Sequence, residues 1–249
     1  MSLTQKLGSL AMIGTLALGL EAKGQLIADW NFDEGSGNQI SDSTGNNNTG
    51  TLQNGVSWTT DSISGYALHF DGLDDRVSVV NTSSMRLIGQ LNIEAWVKRE
   101  SNRDGTIFSC NGPFFMGIRN NHIYGGVYNT DDGPDGWVHM EGNSNLEVNQ
   151  WYKLSIQYDG SSVKGFINGI EDGNAPAVGT RDAGRFAYVP WLGWGEPGQN
   201  QYFHGTIDDV KIYSTAVPEP STYGLVTGLA LLGTAFVLRN NKPNQTKNK

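Results

Sequence analysis

Trp151-Tyr-Lys-Leu-Ser-Ile-Gln-Tyr158, Asp159-Gly160, Ser161-Ser-Val-Lys-Gly-Phe-Ile167 and Asn168-Gly169 follow one another without a break, and their reading decides the fold. Two runs rich in β-branched and aromatic residues, Trp151–Asp159 and Ser162–Asn168, each ending at an Asp-Gly or Asn-Gly pair, spell antiparallel strands joined by tight turns. Those pairs accept the positive φ that such turns demand. Working outward, strand patterns recur at 25–32, 65–70, 76–80, 91–98, 106–110, 114–119, 122–128, 137–141 and 206–213. In the fourth of these, Leu91, Ile93, Ala95 and Val97 fall on one side and Trp96 on the other, the period of two that a strand requires. Between Gln25 and Val217 no segment keeps a helical period and no repeat of 20–50 residues stands out. About a dozen short strands in roughly 190 residues predict one all-β, two-sheet antiparallel sandwich rather than two domains.

Composition agrees. The chain has 249 residues with 33 Gly, one Cys, 17 Lys+Arg and 25 Asp+Glu, a net charge of -8. An acidic chain lacks the basic stripe that a phosphate backbone needs, so nucleic acid is excluded as a partner. A single Cys110 cannot make an internal disulfide, which leaves a bound cation as the natural staple of an exported domain.

The two ends read as targeting segments. Lys6, the apolar run Leu7–Leu20, and the small residues Ala22 and Gly24 before Gln25 have the order of a secretory signal peptide, residues 1–24. At the other end, Thr222–Leu238 carries no charge and is followed by Arg239 and Lys242, the pattern of a membrane-spanning helix with a cytoplasmic basic flank. Pro218-Glu219-Pro220 stands just before it, and residues 218–242 together resemble a PEP-CTERM sorting signal, with a polar tail at 243–249. That resemblance implies an exosortase partner, transient anchoring in the inner membrane, and delivery to the cell envelope or extracellular matrix. A permanent tail anchor is the alternative. Removing both ends takes away six basic and two acidic residues, so the 25–217 domain carries 11 Lys+Arg and 23 Asp+Glu, about -12.

Within that domain, Ala28-Asp-Trp-Asn-Phe-Asp-Glu-Gly35, Asp42-Ser-Thr-Gly-Asn46 and Gly50-Thr-Leu52 resemble the opening of LamG-like jelly-roll domains of the concanavalin A-like lectin/glucanase superfamily. Ala67-Leu-His-Phe-Asp-Gly-Leu-Asp-Asp75, Leu91–Val97, Gln150–Asn168 and Gly205–Tyr213 continue the resemblance in order, leaving 129–149 and 176–203 unaligned. It implies a jelly roll and a structural calcium ion joining the first strand to the last. The carried-over ligand is Asp208, with Asp33, Asp71 and Gly72 as neighbours able to complete a shell of hard oxygens. The same aspartates can instead cap turns by accepting backbone N–H groups. Asp131-Asp132-Gly-Pro-Asp135 is a second acidic loop, read mainly as a solvated turn.

Glycoside hydrolysis needs two facing carboxylates, and no Glu-x-Asp-x-Glu run is present; His69, His122, His139 and His204 show no triad or metal-protease spacing. The expectation is therefore a non-catalytic module. Sugar binding needs exposed aromatic rings beside polar groups, and Tyr188, Trp191 and Trp194, together with Tyr128, Trp137 and His139, are the candidates. Packing into the sandwich edge is the alternative for Trp191 and Trp194, and core or sheet-face packing is the expectation for Trp30, Trp58, Trp96 and Trp151. Recognition of a polysaccharide or glycosylated surface leads; a structural matrix protein without a ligand site, or a glycan-active hydrolase, are the rivals.

Overall fold

The computed structural model describes residues 24–87, 89–110, 114–129, 136–177, 189–195 and 201–214. With strands numbered in chain order, the first sheet runs β14 (Ile170–Pro176), β13 (Ser162–Ile167), β12 (Trp151–Tyr158), β7 (Leu91–Arg99), β16 (His204–Tyr213), β5 (Ala67–Asp71) and β4 (Ser57–Thr59). β1 (Leu26–Trp30) lies beside β16. The second sheet runs β11 (Trp137–Glu141), β10 (His122–Tyr128), β9 (Phe114–Arg119), β8 (Gly105–Cys110), β15 (Pro190–Leu192), β6 (Arg76–Val79), β3 (Gly50–Gln53) and β2 (Gln39–Ile40). All pairings between these strands are antiparallel. This is the expected two-sheet, jelly-roll-like sandwich.

The hairpin pair that decided the fold is in place. Asn168 and Gly169 both have positive φ, 52° and 80°, as a type I′ turn requires, and they join Ile167 to its partner Ile170. Asp159 caps the other turn, its Oδ1 accepting the amides of Ser161 and Ser162 at 2.9 Å each. The inner faces bury Trp30, Phe70, Leu91, Ile93, Phe108, Phe114, Ile156 and Ile207 in one core, where each removes apolar surface from water. The Trp30 indole donates to the Asn48 carbonyl at 2.7 Å, so its one polar atom is not stranded there. At Gly125 the sheets close tightly: a Cβ would stand 2.6 Å from Ile156 Cγ1.

Some boundaries move. A bulge between Leu26 and Ala28 turns Ile27 inward and leaves Leu26 half-buried, and Phe32, expected in the strand, is buried just beyond it at φ 56°. β2, β3, β4 and β15 are too short to show a period, and β14 is a polar edge strand, so their sequences did not announce them. Among the described residues the one helical piece is the 3-10 turn Ser83–Met85, and no helix is long and apolar enough to cross a membrane. Residues 1–23 of the expected signal peptide, Pro218-Glu219-Pro220, the 222–238 segment, Tyr188 and the 131–135 loop lie outside the described residues.

Candidate functional site

The second sheet turns one face to the core and the other outward, and register decides which side chains share the outer face. Phe114, Met116 and Ile118 point inward; Phe115 and Arg119 alternate with them and point out. Following partners across the sheet gives one transverse row: His139, Gly126, Phe115, Ser109, Trp191, Ser78, Thr51 and Gln39, one residue from each strand. No stretch of sequence holds more than one of them.

At one end of the row, Phe115 packs against Tyr124, Trp137 and His139 with ring centroids 5.2, 5.5 and 5.9 Å apart, and Trp137 stacks on His139 at 5.8 Å. Tyr128 meets Trp137 edge-on at 5.7 Å. Gly126 makes room for this cluster, because a Cβ there would lie 3.0 Å from the Phe115 ring and 3.1 Å from the His139 ring. Arg119 sits over the Tyr124 ring at 5.1 Å and donates to its hydroxyl at 3.2 Å. Burial pushes the Tyr124 hydroxyl up despite that donor, so it remains a neutral hydrogen-bonding group at physiological pH.

Beyond β8 lies a second cluster. Trp191 and Trp194 meet edge-on at 5.0 Å, and Trp194 stacks on Tyr202 at 6.1 Å. Arg76 lies over both indoles at 5.3 and 5.2 Å, while its Nε donates to Gln53 Oε1 at 2.8 Å. The Ser109 hydroxyl, between the two clusters, donates to the Trp194 carbonyl at 2.9 Å.

The sequence had named Trp137, Tyr128, His139, Trp191 and Trp194, and the structure brings these five to one face, but Tyr128 is buried there, packed edge-on against Trp137, and is not the exposed ring that was expected. It had missed Phe115, Tyr124, Arg76 and Tyr202. The signal for the first two was present: both alternate with buried neighbours, Phe114 and Met116 for one and Ile123 and Gly125 for the other. Among the described residues, the eight strands of this sheet carry one acidic side chain, Glu141, whose Oε1 accepts from Asn120 at 3.1 Å. These strands therefore supply at most one member of the carboxylate pair that glycoside hydrolysis requires.

The four residues expected around a cation divide between two places. Asp208 lies where β16 changes partner, from β5 along 204–207 to β1 along 210–213. Its Oδ2 accepts the amides of Ile63 and Ser64 at 2.8 and 3.4 Å, and Asp33 Oδ1 accepts the amide of Tyr66 at 3.3 Å. Asp208 thus ties the 60–66 loop to β16, and Asp33 ties it to the turn after β1, both through N–H donors. Burial nevertheless pushes the Asp208 carboxyl above the usual range, with the amides opposing and the Asp209 charge adding to it. Asp71 pairs with His204, four residues from Asp208 along β16, so about 13 Å separates the two. Asp71 groups instead with Asp74 and Asp75, and Gly72 sits in that turn at φ 75°.

Residues 70–221 match the family model of the concanavalin A-like lectin/glucanases superfamily. The chain belongs to that superfamily. The first sheet extends upstream of the matched span, since β1 pairs with β16 and β4 with β5. Among solved structures it is similar to domain 4 of a GH43 extracellular arabinanase from Geobacillus stearothermophilus, in complex with arabinotriose. That likeness has 24% identity and a TM-score of 0.58 over 78% of this chain and 95% of that one. It is also similar to the binding domain of Paraclostridial Mosquitocidal Protein 1, with 14% identity and a TM-score of 0.64 over 80% and 51% of the two chains. The binding domain of Botulinum Neurotoxin DC, in complex with SialylT, gives 14% identity and a TM-score of 0.60 over 82% and 51%. This superfamily domain spans about half the length of those toxin chains. No curated protein matches the chain.

Proposed function

We propose that the chain is an exported, non-catalytic carbohydrate-binding module whose ligand lies across the outer face of the second sheet. The observation that carries this reading is the transverse row, with an aromatic cluster on either side of Ser109. A sugar offers apolar C–H faces that stack on aromatic rings and hydroxyls that need fixed polar partners. Trp137 and Trp191 supply the first; Arg76, Gln53, Ser78, His139 and Arg119 supply the second. The row crosses seven interstrand intervals, about 33 Å in all, which suits an extended oligosaccharide better than one monosaccharide. The arabinotriose and SialylT complexes of two structures with this fold support the ligand class.

Export and sorting complete the proposal. Residues 1–24 direct secretion, 25–217 form the binding domain, and 218–242 act as a PEP-CTERM signal. An exosortase cleaves near Pro218-Glu219-Pro220 and releases the domain from the inner membrane to the envelope or extracellular matrix. Mass spectrometry of the chain recovered from its host tests this: a product ending near Val217 is expected, and survival of residues 223–249 would indicate a permanent anchor.

Binding is tested by affinity gel electrophoresis against arabinan and a panel of other polysaccharides. Retardation by at least one is expected, reduced about tenfold or more in Trp137→Ala and in Trp191→Ala. No retardation by any polysaccharide, or unchanged retardation of both variants, would refute this reading. The first of these results would favour a structural matrix protein.

A further inference from the structure

The two sheets carry their cations differently. On the first, each lysine of the strands is neutralised: Lys98 by Asp61, Lys153 by Glu94 at 3.0 Å, Lys164 by Asp159 at 3.0 Å and Lys211 by Asp209 at 2.7 Å. The strands of the second sheet carry Arg76 and Arg119 instead, and among the described residues neither forms an ion pair. Glu141, the acidic side chain of these strands, stands on the edge strand β11 and accepts from Asn120.

Register sets both arginines on the outer face and on the same side of the transverse row. Arg119 stands four residues past Phe115 on β9, and Arg76 two residues before Ser78 on β6. Three successive antiparallel pairings make β9 and β6 run in opposite directions, so both displacements point the same way. About 14 Å separates the two strands. Each guanidinium lies over aromatic rings, Arg119 over Tyr124 at 5.1 Å and Arg76 over Trp191 and Trp194 at 5.3 and 5.2 Å. Each also donates to a neutral oxygen, the Tyr124 hydroxyl in one case and Gln53 Oε1 in the other. A guanidinium held flat in this way keeps its other N–H groups in a fixed plane, the geometry that takes an oxyanion through two parallel hydrogen bonds.

The 25–217 domain carries about -12, a charge that repels an anionic polymer. The face of the second sheet departs from that average: carboxylates are almost cleared from its strands, while two cations are left without a counter-charge. Neutral sugar hydroxyls need fixed polar partners but no excess of positive charge, whereas an anionic ligand is steered and held by such a face. We propose, on the carbohydrate-binding reading above, that the ligand is an acidic polysaccharide: Arg119 and Arg76 hold its carboxylate or sulfate groups while its sugar rings stack on Trp137 and Trp191.

Affinity gel electrophoresis of the full chain compares acidic polysaccharides with uncharged counterparts, polygalacturonate with its methyl ester and dextran sulfate with dextran. At least one acidic member should be bound about tenfold or more tightly than its counterpart, and the pair that shows this identifies the anion. In calorimetric titrations, raising NaCl from about 50 to about 200 mM should weaken acidic binding about fivefold. Arg119 is exposed, so Arg119→Gln folds. It should lose about fivefold in affinity for the acidic polymer and flatten the salt dependence, whereas Arg119→Lys should retain that dependence. The proposal is overturned if uncharged polysaccharides are bound as tightly as acidic ones, or if Arg119→Gln leaves the salt dependence unchanged; carbohydrate binding itself would then stand. Binding of no polysaccharide at all would remove both.

Discussion

Arg76 is the residue on which the Trp191–Trp194 cluster most depends, and Arg76→Ala measures how much. Three contacts are lost: the hydrogen bond from Nε to Gln53 at 2.8 Å and the two stacked contacts at 5.3 and 5.2 Å. A charge-assisted hydrogen bond at a half-buried site contributes about 1 kcal/mol. Each cation–π contact at such a site adds about 0.5–1 kcal/mol. The expected cost is therefore about 2–3 kcal/mol, which for a domain of this size lowers the melting temperature by roughly 5–10 °C. Urea denaturation followed by far-UV circular dichroism measures the change without relying on the fluorescence of the tryptophans being altered. A double-mutant cycle of Arg76→Ala against Trp191→Ala/Trp194→Ala should show a coupling of about 1–2 kcal/mol. A coupling below about 0.5 kcal/mol, within the scatter expected of independent sites, would refute the claim that the guanidinium holds the indoles. Arg76→Lys keeps the charge but loses the planar stack, and should recover less than half of the loss.

Three further outcomes follow from the packing and charge of the sandwich. Asp208 has a raised carboxyl pKa, so its charge weighs against folding once the pH rises above the usual carboxylate range. Asp208→Asn should melt no lower than the parent at pH 7, and any gain should vanish as the pH falls below about 4. Asp159 has the opposite sign: burial opposes its charge, but Ser161, Lys164 and Ser162 outweigh it and hold the carboxyl well below the usual range. Its stabilisation is present above the unfolded pKa and lost on acidification, so Asp159→Ala should cost about 1–2 kcal/mol at pH 7, shrinking below about pH 4 in chemical denaturation. Gly125→Ala drives a methyl into Ile156 and should cost about 1–3 kcal/mol, with Ile156→Ala less damaging in that background than in the parent.

Much of the architecture was legible because strand formation leaves a local trace. Leu91, Ile93, Ala95 and Val97 are all buried while Trp96 is half-exposed, as their alternation required. Asn168-Gly169 announced its turn because few residue pairs tolerate two successive positive φ angles. Where the trace was too short or too polar, it failed. β15 has three residues in a stretch without family resemblance, yet it lies between β8 and β6 in the middle of the second sheet.

The candidate site was legible in kind and not in arrangement. Residue chemistry alone nominated Trp137, His139, Trp191 and Trp194, but only the register places Trp191 opposite Ser109 and Ser109 opposite Phe115. A slip of one residue would turn each of them into the core. The acidic candidates show the same limit: Asp71 and Asp208 both lie in family-matched segments, and the register of β5 on β16 separates them. Alternation, turn chemistry and charge are properties of neighbours along the chain, so the sequence by itself determined an acidic, all-β sandwich and the aromatic residues that are candidates for a ligand face. Strand order and register come from pairings between residues far apart in the chain, and only the tertiary structure decided which of those rings and carboxylates meet.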